Sequence, residues 1–347
     1  LRGPHESESR GSLYSFGAAV IAPGSATTVP PIEGLDPSWE GVWTSNKILH
    51  NTRIPESLAV IGAGAIGLEF SLRYARLGSN VTLIGRSPLL SRHPPDFGAR
   101  MQMIYEHEGI RVLTGRSATR IARNAAGAYE IQIEGADGTE QIRSEKVLLA
   151  AGRRPAIDDL NIAAAGIVAG DRGRLEIGAN MRIAGQTHFL AAGDVIGKRM
   201  AVHHAHIEAG IAAENAVSDG DRKWTKRSNI NVIFSDLEFA YAGFTPGAAE
   251  TEGCRVVRAR AESIDVGKLH LAGDDFGFGE FYADAADGRL IGAGLLCADA
   301  SELIHLPAYA IDHEHTVHTL VYAEFYHLTK TSIIPSIGDA LCRPLGG

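Results

Sequence analysis

Ser57-Leu58-Ala59-Val60-Ile61 is apolar without polar alternation, the pattern of a strand covered on both faces. It runs into Gly62-Ala-Gly-Ala-Ile-Gly67, followed by a helical stretch through Leu77 that Gly78 closes. Val81-Thr82-Leu83-Ile84 predicts the next strand, Phe97 to Glu108 a helix ended by Gly109, and Ile110 to Leu113 a third strand. Strand, helix, strand, helix, strand in this order calls for an α/β fold with a doubly wound parallel sheet.

The flanks differ. The first ten residues are polar and patternless, and Ala18-Ala19-Val20-Ile21 predicts a short buried strand stopped by Ala22-Pro23-Gly24. From Thr119 the pattern becomes that of an antiparallel hairpin, Tyr129 to Ile133 and Gln141 to Arg143, around a Gly-Ala-Asp-Gly turn. Val147 to Ala150 is a fully apolar strand ending at Gly152-Arg153-Arg154-Pro155. Phe189 to Ala192 is another, ending at Gly193-Asp194 before a helix over His203 to Val217. Lys223 to Ser228 reads as a linker. Beyond it, Val232 to Phe234, Cys254 to Ala259, Gly279 to Ala283 and Leu290 to Leu296 predict strands of an α+β domain. Its helices are expected near Ser301 to His313 and over Thr316 to Tyr322.

Composition narrows the function. The chain has 347 residues and a net charge of −8 with no basic block, so a nucleic-acid groove is not expected. No apolar run reaches the length of a membrane span, and Leu1 to Arg10, with two Arg, two Glu and a Pro, does not resemble a signal peptide. Glycine is abundant, 40 of 347, and points to many turns and close backbone approaches. Cys254, Cys297 and Cys342 offer no CxxC or CxxxxC spacing, and their odd number suits buried thiols in a reducing, cytoplasmic compartment.

Gly62, Gly64 and Gly67 carry the strongest chemistry, because the motif follows a strand and opens a helix. The first glycine permits the tight turn, the second lets backbone approach a pyrophosphate, and the third lets helix and strand pack closely. The anion then sits at the helix N-terminus, beside Ala65 and Ile66. At the end of the second strand stand Gly85, Arg86 and Ser87, with no carboxylate between Asn80 and Pro95. An acidic residue there would take a ribose 2′-OH, whereas an Arg suits a 2′-phosphate, so Arg86 tilts the choice between NAD and NADP toward NADP or toward weakened discrimination. A merely solvated arginine is the plainer reading. Asp194, at a buried strand's end, needs a hydrogen-bond donor; a cofactor hydroxyl would serve, and a helix N-cap is the alternative. His203-His204-Ala-His206 and the stretch Asp312 to His318 hold several histidines, with His315 and His318 on one helix face, but HExxH is absent and no metal is expected.

Ile61 to Glu69, Ala150-Ala-Gly-Arg-Arg-Pro155 and Leu190-Ala-Ala-Gly-Asp-Val195 occur together in an order and spacing that resemble the class I pyridine nucleotide–disulfide oxidoreductases, most closely dihydrolipoamide dehydrogenase. The similarity runs from about Ala19 to Leu341. It implies a Rossmann-like NAD(P) domain, 46–157, inserted in a partial FAD domain made of 1–45 and 158–225, followed by a dimerisation domain over 229–347. By the same resemblance Gly62 to Gly67 and Gly152 would contact the nicotinamide dinucleotide, and Glu69 would lie near its ring. Asp194 would bond the ribityl chain of FAD, with Val202 and His203 against the flavin. Gly24 would lie in the turn beside the FAD adenosine, where this chain has Ala-Pro-Gly in place of Ala-Thr-Gly. Tyr326-His327, after the helix containing Thr316-Val317-His318, resembles the pair whose His takes a proton from a substrate dithiol across a homodimer interface. An imidazole suits that task.

Two departures follow. The family has Pro after this His and Glu five positions on, where this chain has Leu328 and Ser332. Neither the N-terminal glycine motif of the FAD domain nor the CxxxxC pair is present. A stretch of roughly 110 to 130 residues, about one domain, is therefore expected to be absent relative to the family. The reaction implied is oxidation of a small or lipoyl-bearing dithiol to a disulfide, with electrons passing through FAD to NAD(P). A glutathione or mercuric reductase type, and a non-catalytic dinucleotide-binding remnant or interaction protein, are the alternatives.

Overall fold

In a computed structural model of the chain, which describes residues 1–218 and 220–346, two compact units are found. One comprises Leu1–Thr28 and Gly152–Thr225, the other Val29–Ala151 and Lys226–Gly347.

The larger unit contains a five-stranded parallel sheet in the order Val42–Thr44, Lys146–Leu149, Ser57–Ile61, Asn80–Gly85, Arg111–Thr114. Leu58 to Val60 and Val147 to Leu149 are almost wholly buried, which is why these strands read as unbroken apolar runs. The helices Ala65–Arg76 and Pro95–His107 are the crossover connections. The antiparallel strands Arg116–Arg123, Tyr129–Gly135 and Gly138–Ser144 form a separate ribbon. Its middle strand alternates, burying Tyr129, Ile131 and Ile133 in one cluster with Val42, Ala59 and Val147.

The same unit holds a second five-stranded sheet, antiparallel, in the order Asn231–Ile233, Glu238–Gly243, Leu290–Cys297, Phe278–Asp284, Val256–Glu262. Both faces of its middle strands are covered. Ile333, Ile334, Ile337 and Leu341 of the helix Ile333–Cys342 join Phe281, Ala293 and Leu295 in one cluster. Phe97 and Met101 of the helix Pro95–His107 join Phe239, Tyr241, Phe278 and Tyr282 in another. The rings of Phe97 and Phe278 stack with centroids 4.4 Å apart. Part of the glycine excess is explained here, since a Cβ on Gly294 would lie 2.5 Å from Phe97 Cζ.

The smaller unit is built on the parallel pair Ala19–Ile21 and Phe189–Ala191 and the antiparallel pair Ser25–Thr27 and Arg153–Pro155. Its core gathers Ile21, Leu175, Met181, Phe189, Leu190 and Ile211, the last from the helix Val202–Val217. The expected linker, Lys223 to Ser228, has no regular structure and spans the boundary between the units. It is nonetheless tied down. Trp224 N–H donates to Ala179 O at 2.8 Å in the smaller unit, and the Arg227 and Ser228 amides donate to Asp312 Oδ1 at 2.8 and 2.9 Å in the larger.

Several local expectations are corrected. The polar start forms a hairpin, Glu6–Ser9 with Ser12–Ser15, turned at Arg10 and Gly11, both at positive φ. The strand Glu238–Gly243 was not expected, because Ala240 and Ala242 between Phe239 and Tyr241 dilute the strand signal that burial then overrides. The single helix over Ser301 to His313 is two, Ala300–Leu303 and His305–Asp312. Pro307, which has no N–H to continue the ladder, lies in the first turn of the second. The strand expected from Cys254 begins at Val256. His315 precedes the helix Val317–Val321, so it does not share a helix face with His318. No helix among the described residues is long and apolar enough to cross a membrane.

Candidate functional site

In the larger unit the three glycines occupy different environments. Gly62 has φ +117, and a Cβ there would lie 2.3 Å from Ala150 O. A Cβ on Gly67 would lie 1.9 Å from Gly62 O, so the helix can approach the turn this closely only without a side chain. Gly64 meets nothing within 4 Å. It is the N-cap of Ala65–Arg76, where no side chain caps the helix and no acidic residue stands in the first turn. Its first-turn N–H groups therefore have no capping acceptor beside an open face. That is what a pyrophosphate requires.

The neighbouring strand end is equally close. A Cβ on Gly85 would lie 2.8 Å from the Cβ of Ala63, so the absence of a side chain lets the second strand end against the glycine turn. Arg86 follows directly and is exposed, and among the described residues no ion pair of Arg86 is found. Ser87 and Arg92 are exposed as well.

Glu69, two residues past Gly67, is half-buried, and its Oε1 accepts from the Phe234 N–H at 3.1 Å. Burial raises its carboxyl above the usual range, more than the Phe234 hydrogen bond and the Arg73 charge lower it. A raised carboxyl contributes stability that is lost as pH rises through the folded pKa. Glu69→Gln, which keeps the acceptor, is thus expected to melt higher than the unaltered chain at pH 7.5. The difference should shrink on acidification toward pH 4, as read by thermal melts at both pH values.

The sites in the smaller unit centre on Asp194. Gly193, at φ +78, turns the chain at the end of Phe189–Ala191, and its N–H donates to Glu208 Oε2 at 2.9 Å. Asp194 lies inside the first turn of Gly193–Ile196, whose N-cap is Ala192, so it is not the N-cap of that turn. Its Oδ2 accepts from Ser25 Oγ at 2.5 Å, and Arg153 Nε donates to the same Ser25 Oγ at 2.7 Å. Among the described residues no protein donor reaches the second oxygen, Oδ1. A cofactor hydroxyl fits there. Gly24 and Gly152, at φ +79 and +109, bracket the paired strands: Gly24 O accepts from Ala156 N–H and Gly152 O from Thr28 N–H. Val202 opens its helix 74% exposed, and His203 is exposed with its ring 4.0 Å from that of His204. Ser25, Arg153 and Glu208 were not singled out by sequence, although Arg153 lies inside a motif that was and Ser25 directly follows another.

His327 lies in the larger unit, exposed beside the 82% exposed Tyr326. Among the described residues no hydrogen bond or ion pair holds its ring, and the Ser332 backbone carbonyl accepts instead from Ser336 Oγ. The three cysteines are free, and burial pushes each thiol up, most strongly at the fully buried Cys297. Such thiols are poor nucleophiles. The rings of His313 and His315 gather around Tyr309, and among the described residues no group of three metal-ligating side chains is found.

Comparison with known proteins places these features in a family. Residues 1–209 match the family model for pyridine nucleotide-disulphide oxidoreductases, and residues 230–335 match that family's dimerisation domain. A mercuric reductase of Acidithiobacillus ferrooxidans is 33% identical over 318 residues, covering 91% of this chain and 56% of the relative. A dihydrolipoyl dehydrogenase of Thermus scotoductus is 31% identical over 345 residues, covering 98% of this chain and 73% of the relative. The chain spans about half the length of the mercuric reductases of Acidithiobacillus ferrooxidans, Shigella flexneri and Shewanella putrefaciens. Among solved structures, the Cu(II) complex of the HOCl-induced flavoprotein disulfide reductase RclA from Escherichia coli shares the fold with a TM-score of 0.88 at 22% identity. That likeness covers 98% of this chain and 77% of the other. LpdA from Mycobacterium tuberculosis does so with a TM-score of 0.84 at 21% identity, covering 97% and 72%.

Proposed function

Because this chain belongs to the pyridine nucleotide-disulphide oxidoreductase family, we propose that it carries the nicotinamide-nucleotide and flavin-side elements of a dihydrolipoyl dehydrogenase-like oxidoreductase that works as a homodimer. The family is FAD-dependent, with NAD(P) as electron partner. The observation that carries the reading is the glycine turn, where Gly62 and Gly67 leave no room for a side chain and Gly64 faces open space. The parallel-sheet part of the larger unit, within Val29–Ala151, would bind NAD(P)H through Gly62, Gly64, Ala65, Ile66 and Gly67, with Glu69 on the nicotinamide side. Residues 1–28 and 158–225 would hold FAD through Gly24 and Asp194, with Val202 and His203 against its ring; the segment 29–45, expected with them, belongs instead to the larger unit, where Val42–Thr44 is a strand of the parallel sheet. The segment 229–347 would form the dimer. Bound FAD would supply two-electron transfer between the nicotinamide and a thiol pair. His327 would hold and release the proton of a dithiol substrate, and the three unpaired thiols suit a reducing, cytoplasmic setting.

The substrate is either a small or lipoyl-bearing dithiol, oxidised to its disulfide, or a metal ion as the names of several relatives suggest. A second reading, dinucleotide binding without thiol exchange by this chain, is favoured by the lack of a CxxxxC pair and by the raised cysteine thiols. The visible spectrum separates the two. A yellow band retained after purification with FAD and bleached by NADPH supports electron transfer; a colourless chain that still binds NADPH supports the second.

Exposed Arg86 at the strand end favours NADP(H) over NAD(H). Arg86→Ala is expected to weaken NADPH binding roughly tenfold, the scale of one charge-assisted contact, and to leave NADH binding unchanged. Equal titration curves for NADPH with the variant and the unaltered chain would remove the phosphate role.

A further inference from the structure

We propose that Ser25 and Glu208 are positioning residues that preset Asp194, side chain and backbone respectively, to accept a hydrogen bond from a polyol hydroxyl such as those of the flavin ribityl chain. The proposal rests on the reading of Asp194 as a flavin-side residue. The direction of the hydrogen bonds is fixed by chemistry. A guanidinium has donors only, so Ser25 Oγ must accept from Arg153 Nε, 2.7 Å away. The single hydroxyl proton is then left for Asp194 Oδ2 at 2.5 Å. Arg153 is itself held at a second point, its Nη2 donating to the Ser25 carbonyl at 2.8 Å. The chain Arg153 to Ser25 to Asp194 therefore runs one way and turns Asp194 into an acceptor whose orientation is set. Its Oδ1, with no protein donor among the described residues, is the oxygen left for a ligand.

The backbone is fixed independently. Glu208 reaches from the helix Val202–Val217 with a fully buried side chain, and its Oε2 takes the Gly193 N–H at 2.9 Å. Arg199 lies 3.6 Å from the other carboxylate oxygen and supplies the opposite charge that a buried carboxylate needs. Gly193 sits at φ +78, a turn that the Glu208 bond holds immediately before Asp194. Every one of these residues belongs to the smaller unit. Presetting matters because a carboxylate left free on a turn would have to lose side-chain and backbone freedom when it binds.

Flavin fluorescence titrations with FAD and thermal melts of the full chain test this. Ser25→Ala is expected to weaken FAD binding roughly tenfold with little change in melting temperature, and Ser25→Thr, which keeps the hydroxyl, to restore most of it. Glu208→Gln, which keeps an acceptor for Gly193, should bind better than Glu208→Leu. If Asp194→Ala binds FAD as the unaltered chain does, or the unaltered chain shows no saturable binding, the reading of Asp194 fails and the proposal with it. If Asp194→Ala loses binding while Ser25→Ala and Glu208→Leu do not, the reading stands and the proposal is overturned. A loss with Ser25→Ala that Ser25→Thr does not restore also overturns it.

Discussion

Gly64→Val is expected to weaken NADPH binding by about 100-fold while leaving the fold intact, an effect of the size produced when a side chain fills the space of a bound pyrophosphate. The separation is possible because Gly64 has φ −85, which any residue adopts, and nothing lies within 4 Å of a Cβ there. Gly62 behaves differently. Its φ of +117 and the 2.3 Å approach to Ala150 O mean that Gly62→Val must strain the backbone and push strand from turn. That substitution should cost about 3 kcal/mol of stability in addition to the nucleotide. Titration calorimetry together with urea unfolding distinguishes the pair: affinity lost alone at Gly64, affinity and stability lost together at Gly62. A Gly64→Val chain that binds NADPH unchanged would remove the pyrophosphate from this turn.

Phe97→Ala is expected to destabilise the larger unit by about 3–5 kcal/mol, the usual range for emptying a fully buried aromatic site. Phe97 lies on the helix Pro95–His107, yet its ring stacks on Phe278 and meets Phe239 and Tyr241 edge-on, all three on the antiparallel sheet. The parallel and antiparallel sheets thus share one apolar cluster. Gly294 completes it, since the ring occupies the space of its missing Cβ. Emptying the site should lower the urea midpoint and separate one cooperative transition into two, read by far-ultraviolet dichroism and tryptophan fluorescence. A variant whose midpoint and single transition match those of the unaltered chain would contradict the shared core.

The parallel sheet was legible because a strand buried on both faces leaves an unbroken apolar run, and Leu58 to Ile61 and Val147 to Leu149 are such runs. The glycine turn was legible for a related reason: where Cβ atoms cannot fit, glycine must stand, and the spacing of Gly62 and Gly67 records the approach of helix to strand. The strand Glu238–Gly243 was not legible. Its alanines carry no strand preference, and only the sheet around them decides the outcome. The Ser25 bond to Asp194 joins residues 169 positions apart, and the Phe97 contacts cross between sheets of opposite type. Neither leaves a local pattern. His327 was legible in both respects: its place after an apolar helix, and Ser332 where the family has Glu, which agrees with a ring that no hydrogen bond or ion pair holds among the described residues.

The central claim is that the glycine turn and Arg86 bind a nicotinamide dinucleotide and favour the phosphorylated form. Isothermal titration of the full chain with NADPH and, separately, NADH tests it most directly. The expected result is saturable binding of one nucleotide per chain, with NADPH the tighter by roughly tenfold, the scale of one arginine–phosphate contact. No saturable heat with either nucleotide, at concentrations up to the millimolar range, would contradict the account.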